Sequence, residues 1–147
     1  MSACEIITDL WLGNIRDSRN QEFINSVDIV INCSKKIPFL NKKKKCIRIP
    51  IDDNLEKEEI MNMYKFYPKI TKIIYSYLVN NKVVFIHCYA GKQRSASIVV
   101  AYLMKYLGIK MNNAIKLLES KRSIVFTPLV NFENALLLYQ SDVLNMK

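Results

Sequence analysis

One segment gathers a nucleophile, an arginine and a hydroxyl within nine positions: His87-Cys88-Tyr89-Ala90-Gly91-Lys92-Gln93-Arg94-Ser95. Read as a loop leaving an apolar strand and entering a helix, it aims successive backbone N–H groups at one point. The dipole of the following helix adds positive potential there. Gly91 permits a backbone turn that a Cβ would hinder. Arg94 brings a planar donor fork matched to two phosphate oxygens. Cys88 lies at the bottom of this positive pocket, so its pKa is expected below the ordinary thiol value and a thiolate forms near neutral pH. A thiolate aimed at a bound phosphate is a nucleophile for phosphoryl transfer. Cys followed six positions later by Arg is weak by itself, with four Cys and five Arg in the chain; H-C-x-x-G-x-x-R-S in a strand-to-helix context is specific.

The elements around the segment read as an α/β domain. Lys82–His87 is strongly apolar and therefore a central strand. Ser95 is expected to start a helix to about Leu107, with Gly108 ending it. Upstream, Trp11-Leu12-Gly13 reads as a strand, Ser18 as the cap of a helix to about Asn25, and Val27–Asn32 as a buried strand. Asn41–Lys45 reads as an exposed loop and Cys46–Ile51 as a further strand. Apolar residues recur with helical period from about Glu56 to Val79, and Pro68 predicts a kink or two consecutive helices. Downstream, Asn112 is expected to cap a helix through Lys121, and Thr127-Pro128 to open a last helix to about Leu144. Strands alternating with helices predict a central, mostly parallel, twisted sheet of about five strands flanked by helices. The Cys-x5-Arg loop joins the central strand to a helix at the carboxyl edge, where open sheets bind ligands.

Composition bounds the alternatives. At 147 residues the chain is read as one domain, residues 1–147. Half of it is hydrophobic, which excludes disorder, and no apolar run approaches the roughly 18 residues of a membrane span. Glu5, Asp9 and Arg16 interrupt any signal-peptide core, so the expected location is inside the cell, in cytoplasm or nucleus. The net charge of +9 is carried by Lys, with only five Arg and no basic stripe with interleaved aromatics, which argues against a nucleic-acid partner. Cys4, Cys33, Cys46 and Cys88 form no CxxC pair, and His87 is the only histidine, so neither a zinc site nor a disulfide framework is expected. Cys33 and Cys46 read as buried thiols. No cofactor or metal is expected.

The segment at His87–Ser95 resembles the signature of cysteine-dependent phosphatases, and the rest of the chain is similar to their dual-specificity subfamily in its short single-domain form. Matching segments occur in order: Glu5-Ile6-Ile7 with Leu10–Asn14, Val30–Ser34, Ile49–Asn54, Ala101–Met104 and Lys121–Ile124. Low-molecular-weight tyrosine phosphatases carry their cysteine loop near the N-terminus, unlike this chain. The resemblance implies that Cys88 attacks phosphorus to give a phosphocysteine. Arg94 and the backbone N–H groups of Tyr89, Ala90, Gly91, Lys92, Gln93 and Arg94 would bind the phosphate and stabilise the transition state. Ser95 would hydrogen-bond the sulfur. His87 would fix the loop through its ring; a thiolate ionised by its pocket needs no general base.

The leaving oxygen needs a proton, so a carboxylic acid must reach the pocket from another loop. Asp52 and Asp53 follow a strand whose carboxyl end opens on the same edge. Relatives use the Asp directly before Asn, here Asp53; Asp52 is the alternative, and both could instead cap the next helix. Many relatives also carry Asn after the Pro that precedes the last helix, as a support for the phosphate loop, where this chain has Leu129. The helix that precedes the opening strand in some relatives is absent.

The resemblance implies a phosphoprotein as substrate, phosphorylated on tyrosine or on serine and threonine, and says nothing of oligomeric state. Lys92 inside the loop keeps open a phosphoinositide, inositol phosphate or RNA 5′-phosphate substrate, with Asn41–Lys45 as a further polyanion contact. A phosphate-binding module without turnover is the third reading, and retention of both Cys88 and Arg94 argues against it.

Overall fold

The computed structural model describes residues 2–40 and 44–144. In chain order the elements are β1 (Cys4–Ile7), β2 (Leu10–Gly13), α1 (Ile15–Ser18), α2 (Gln21–Asn25), β3 (Ile29–Asn32), β4 (Lys45–Arg48), α3 (Lys57–Leu78), β5 (Val84–His87), α4 (Arg94–Leu107), α5 (Met111–Lys121) and α6 (Glu133–Val143). The strands form one five-stranded sheet in the order β1-β2-β5-β3-β4. β1 runs antiparallel to β2, and the other three pairings are parallel. This is the expected architecture, with β5 in the middle and buried at all four positions.

Register lines up the ends of the parallel strands. Gly13 pairs with His87, His87 with Asn32, and Asn32 with Arg48. Those four residues form one row along the carboxyl edge, and the chain leaves β5 from that row into the segment containing Cys88. Ile24, Val27, Val30 and Phe85 fill one face of the sheet, with Phe23 edge-on to both Trp11 and Phe85. The other face carries the main core and the helices α3 to α6. α4 lies at its centre, buried from Ser95 through Met104, because an Ile98–Met104 run apolar on every side must be surrounded.

Several boundaries differ from expectation, each for a local reason. The stretch after β2 holds two short helices rather than one capped by Ser18. Asn14 and Asp17 form a reciprocal capping box on α1, and Asn20 caps α2. Ser18 is the last residue of α1 and its hydroxyl donates to the Ile15 carbonyl. β3 and β4 are shorter than read; β4 ends at Arg48, and Pro50 has no N–H with which to extend it. Pro68 does not divide α3, which runs unbroken for 22 residues. Met63, Tyr67, Ile70 and Ile74, on both sides of the proline, are buried on one face, and that burial offsets the lost hydrogen bond.

α4 begins at Arg94, one residue before Ser95, and Gly108 ends it in the left-handed region at φ 66°. α5 begins at Met111 rather than after Asn112, because the Gln140 side chain of α6 accepts the Met111 N–H at 2.7 Å. Thr127-Pro128 does not open the last helix, which starts at Glu133. Thr127 instead donates its hydroxyl to the Ile124 carbonyl, and the turn after it is held from the phosphate-loop side. Of Asn41–Lys45, residues 41–43 lie outside the described residues, and Lys45 opens β4. Cys33 is buried as expected, whereas Cys46 is only partly so. Among the described residues no helix is long and apolar enough to cross a membrane.

Candidate active site

The loop from Cys88 to Gln93 crosses from β5 to α4 and forms the floor of a cleft of about 390 Å³. Cys88 is 3 % exposed at its bottom. Its Sγ lies 3.1 Å from Ser95 Oγ and accepts the Gly91 N–H at 3.3 Å. Burial pushes the thiol pKa up. The Ser95 hydroxyl and N–H, the Arg94 charge and the Gly91 N–H outweigh that, and the net shift is downward. The downward shift favours ionisation of the thiol, and the same contacts hold the sulfur in place.

Gly91 is required twice. It sits at φ +66°, and a Cβ there would lie 2.4 Å from the Gly13 carbonyl oxygen. The loop therefore rests on the end of β2. Arg94 donates through Nη1 to the Ile51 carbonyl at 3.0 Å, which orients its fork, while its buried Nε has no hydrogen-bond partner among the described residues. An anion in the cleft would satisfy that donor. Tyr89, Ala90, Lys92 and Gln93 line the same cleft.

The carboxylates on the far wall are separated by geometry. Asp53 lines the cleft with Cys88, and its Oδ1 accepts the Asn131 amide N–H at 2.9 Å. Asp52 faces a neighbouring cleft, where it pairs with Lys35 at 3.0 Å, and its N–H donates to Glu59 at 2.6 Å. Neither side chain caps α3, whose first turn has no side-chain cap bond.

His87 is buried behind the loop, stacked on Phe85, with Nδ1 3.2 Å from the Cys88 carbonyl. Burial lowers its pKa to about 4, so the ring is neutral at physiological pH. Since a carbonyl only accepts, Nδ1 carries the proton. The ring does not touch the cleft, and its contact is with the loop backbone.

Three side chains that hold the site were not singled out as such in the sequence. Arg122 is fully buried; its Nε donates to the Gly91 carbonyl at 2.9 Å and Nη2 to Ala90 at 3.3 Å. Its remaining nitrogen reaches the Ser2 carbonyl at 2.8 Å, tying the start of the chain to the loop. The Gln93 side chain clasps the turn before α6, donating to the Leu129 carbonyl at 2.7 Å and accepting the Asn131 N–H at 3.0 Å. The support expected from an Asn in place of Leu129 thus comes from Gln93, and Asn131 uses its own amide on Asp53. The available signal for Arg122 was its rarity, one of five arginines in a lysine-rich chain and inside a matching segment.

A family model described as the dual specificity phosphatase catalytic domain matches residues 10–142. The chain belongs to the dual-specificity phosphatase family. Human dual specificity protein phosphatase 9 is 33% identical over 144 residues, a match covering 95% of this chain and 36% of that protein. The 123R protein of Invertebrate iridescent virus 6 is 32% identical over 128 residues, covering 86% of this chain and 84% of the viral one. The crystal structure of human DUSP28 superposes with a TM-score of 0.85 at 20% identity, covering 95% of this chain and 93% of that one, and so shares the fold. The chain spans between about a fifth and about a third of the length of the human family members it matches, from 21% to 36%.

Proposed function

We propose that residues 1–147 act as one dual-specificity phosphatase catalytic domain that hydrolyses phosphotyrosine and phosphoserine or phosphothreonine in proteins. Membership of the family supports this. The observation that carries it is a buried thiol held by the Ser95 hydroxyl and the Gly91 N–H, in one cleft with Arg94 and the Asp53 carboxylate.

In this mechanism the phosphate enters against the loop N–H groups, and Arg94 closes on two of its oxygens through the fork whose Nε is otherwise unpaired. Cys88 Sγ forms a bond to phosphorus as the bond to the ester oxygen breaks. Asp53 gives its proton to that oxygen, and the alcohol or phenol departs. Asp53, now a carboxylate, takes a proton from water as the water oxygen attacks phosphorus. The S–P bond breaks, inorganic phosphate leaves and the thiolate is restored, stabilised by the Ser95 hydroxyl. Asn131 orients Asp53 throughout.

The mechanism needs a reduced Cys88, and a reducing intracellular setting would keep it so. The test compares turnover of phosphotyrosine and phosphothreonine peptides with that of phosphoinositides and triphosphate RNA. Turnover of both peptides in excess of the other two supports the reading; strong lipid or RNA turnover beside negligible peptide turnover overturns it.

A further inference from the structure

The peptide unit between Ile51 and Asp52 is held at both ends. Its carbonyl accepts from Arg94 Nη1 at 3.0 Å, and its N–H donates to Glu59 Oε2 at 2.6 Å. One peptide therefore lies between the arginine of the phosphate loop and a carboxylate of α3. The next residue along the chain is Asp53. Glu59 is only 8 % exposed and does not line the cleft that holds Cys88.

A glutamate at the third position of a helix ordinarily reaches back to the backbone N–H of the capping residue. In α3 that N–H, of Glu56, donates to the Asn54 side chain at 3.0 Å instead. Glu59 reaches past it, seven residues back along the chain, to Asp52. Its other oxygen accepts the Asn62 amide at 3.3 Å and lies 3.5 Å from Lys35 Nζ, which matches the buried charge. Between Asp52 and α3 the chain passes through Leu55 at φ 63°. A leucine takes that left-handed conformation only where its surroundings hold it. Leu55 itself is 64% exposed, so the hold comes from the bonds on either side.

We infer that Glu59 is a positioning residue for the proton donor: through the Ile51–Asp52 peptide it sets the backbone from which Asp53 reaches the cleft. The inference rests on the phosphatase reading and on Asp53 as its acid. Asn131 fixes the Asp53 carboxylate at 2.9 Å from the turn before α6, but a side-chain amide does not place the backbone behind that carboxylate. The bond to Glu59 is charge-assisted. Arg94, on the far side of the same peptide, polarises it in the same direction, so each bond strengthens the other. Without Glu59 the Asp53 carboxyl is free to shift from the leaving oxygen, and a misplacement of about 1 Å costs on the order of 10²-fold in rate.

The experiment measures kcat/KM for an alkyl phosphate and for an aryl phosphate whose leaving group needs no proton. The alkyl-to-aryl ratio is read within each variant, so a loss of folded enzyme cancels. In Glu59→Ala the ratio is expected to fall about 10- to 100-fold. Glu59→Gln keeps an oxygen for the Asp52 N–H and should hold the ratio within about fivefold of the unaltered protein. Glu59→Met fills the same space without an acceptor; it should behave as Glu59→Ala does, and it replaces that variant if Glu59→Ala does not fold. Asp53→Asn lowers the ratio by itself, and adding Glu59→Ala should lower it no further. A purely structural role for Glu59 would lower both rates alike. An unchanged ratio in Glu59→Ala and Glu59→Met, or a further fall on top of Asp53→Asn, overturns this inference alone. An unchanged ratio in Asp53→Asn overturns the assignment of the acid and the inference with it. Absence of turnover of both phosphates by the unaltered protein overturns the phosphatase reading itself.

Discussion

Arg122 donates its Nε–H to the Gly91 carbonyl at 2.9 Å from a fully buried position 31 residues further along the chain. The phosphate loop must turn its N–H groups inward, which turns its carbonyls outward into protein. Arg122 collects two of those carbonyls, Gly91 and Ala90, and so fixes the loop from behind. Arg122→Ala leaves them unpaired and is expected to cost about 3 kcal/mol or more of stability, read as a fall in unfolding midpoint. Arg122→Lys keeps the charge but not the fork; it is expected to fold with a lower Tm and a reduced kcat. Unchanged kcat in a folded Arg122→Lys protein would contradict the account.

Ser95 is placed to act on the sulfur alone. Its hydroxyl is 3.1 Å from Cys88 Sγ and contributes to the lowered thiol pKa. Ser95→Ala is expected to move the acid limb of the pH–rate profile to higher pH. Loss of one hydrogen bond to a charged group should also lower turnover about 10- to 100-fold. A profile that does not move would remove Ser95 from the chemistry.

The two aspartates should behave oppositely. Asp53→Asn removes the proposed proton donor and is expected to slow hydrolysis of alkyl phosphates about 10²- to 10⁴-fold, and of aryl phosphates with good leaving groups less. Asp52→Asn releases Lys35 and leaves alkyl phosphate hydrolysis within about tenfold of the unaltered rate. Asn131→Ala, which loses only the orienting amide, should fall between the two. The reverse order for Asp52 and Asp53 would reassign the acid.

The phosphate loop was legible because its chemistry is local: nine consecutive residues carry nucleophile, glycine turn and arginine fork. β5 and α4 were legible for the same reason, being apolar runs of the length each element needs. What could not be read depends on contacts distant in sequence. The start of α5 is set by Gln140, the clasp on the last turn by Gln93, and the back of the loop by Arg122. Of the two outcomes that Pro68 allowed, division into two helices does not occur, because the burial that keeps α3 whole comes from its packing on α4 and α6. Asp52 and Asp53 are adjacent in a loop, and only the placement of Lys35 and Asn131 tells them apart.

His87 predicts a pH dependence of stability. Its folded pKa is about 4, below the unfolded value of 6.5, so between these values the unfolded chain binds a proton that the folded protein refuses. The contribution of the neutral ring is complete above pH 6.5 and is lost as pH falls through about 4, an amount on the order of 3 kcal/mol. Urea unfolding across that window should show a shallower slope in His87→Asn than in the unaltered protein. Equal slopes would mean that the ring is not held neutral.

The central claim is that Cys88 becomes covalently phosphorylated during turnover. Acid quenching of the enzyme during steady hydrolysis of an aryl phosphate, followed by peptide mass spectrometry, tests it most directly. The account predicts phosphate on the Cys88 peptide of the unaltered protein, with neither that adduct nor turnover in Cys88→Ser. Sustained hydrolysis by Cys88→Ser, or turnover with the phosphate on another residue, would contradict it.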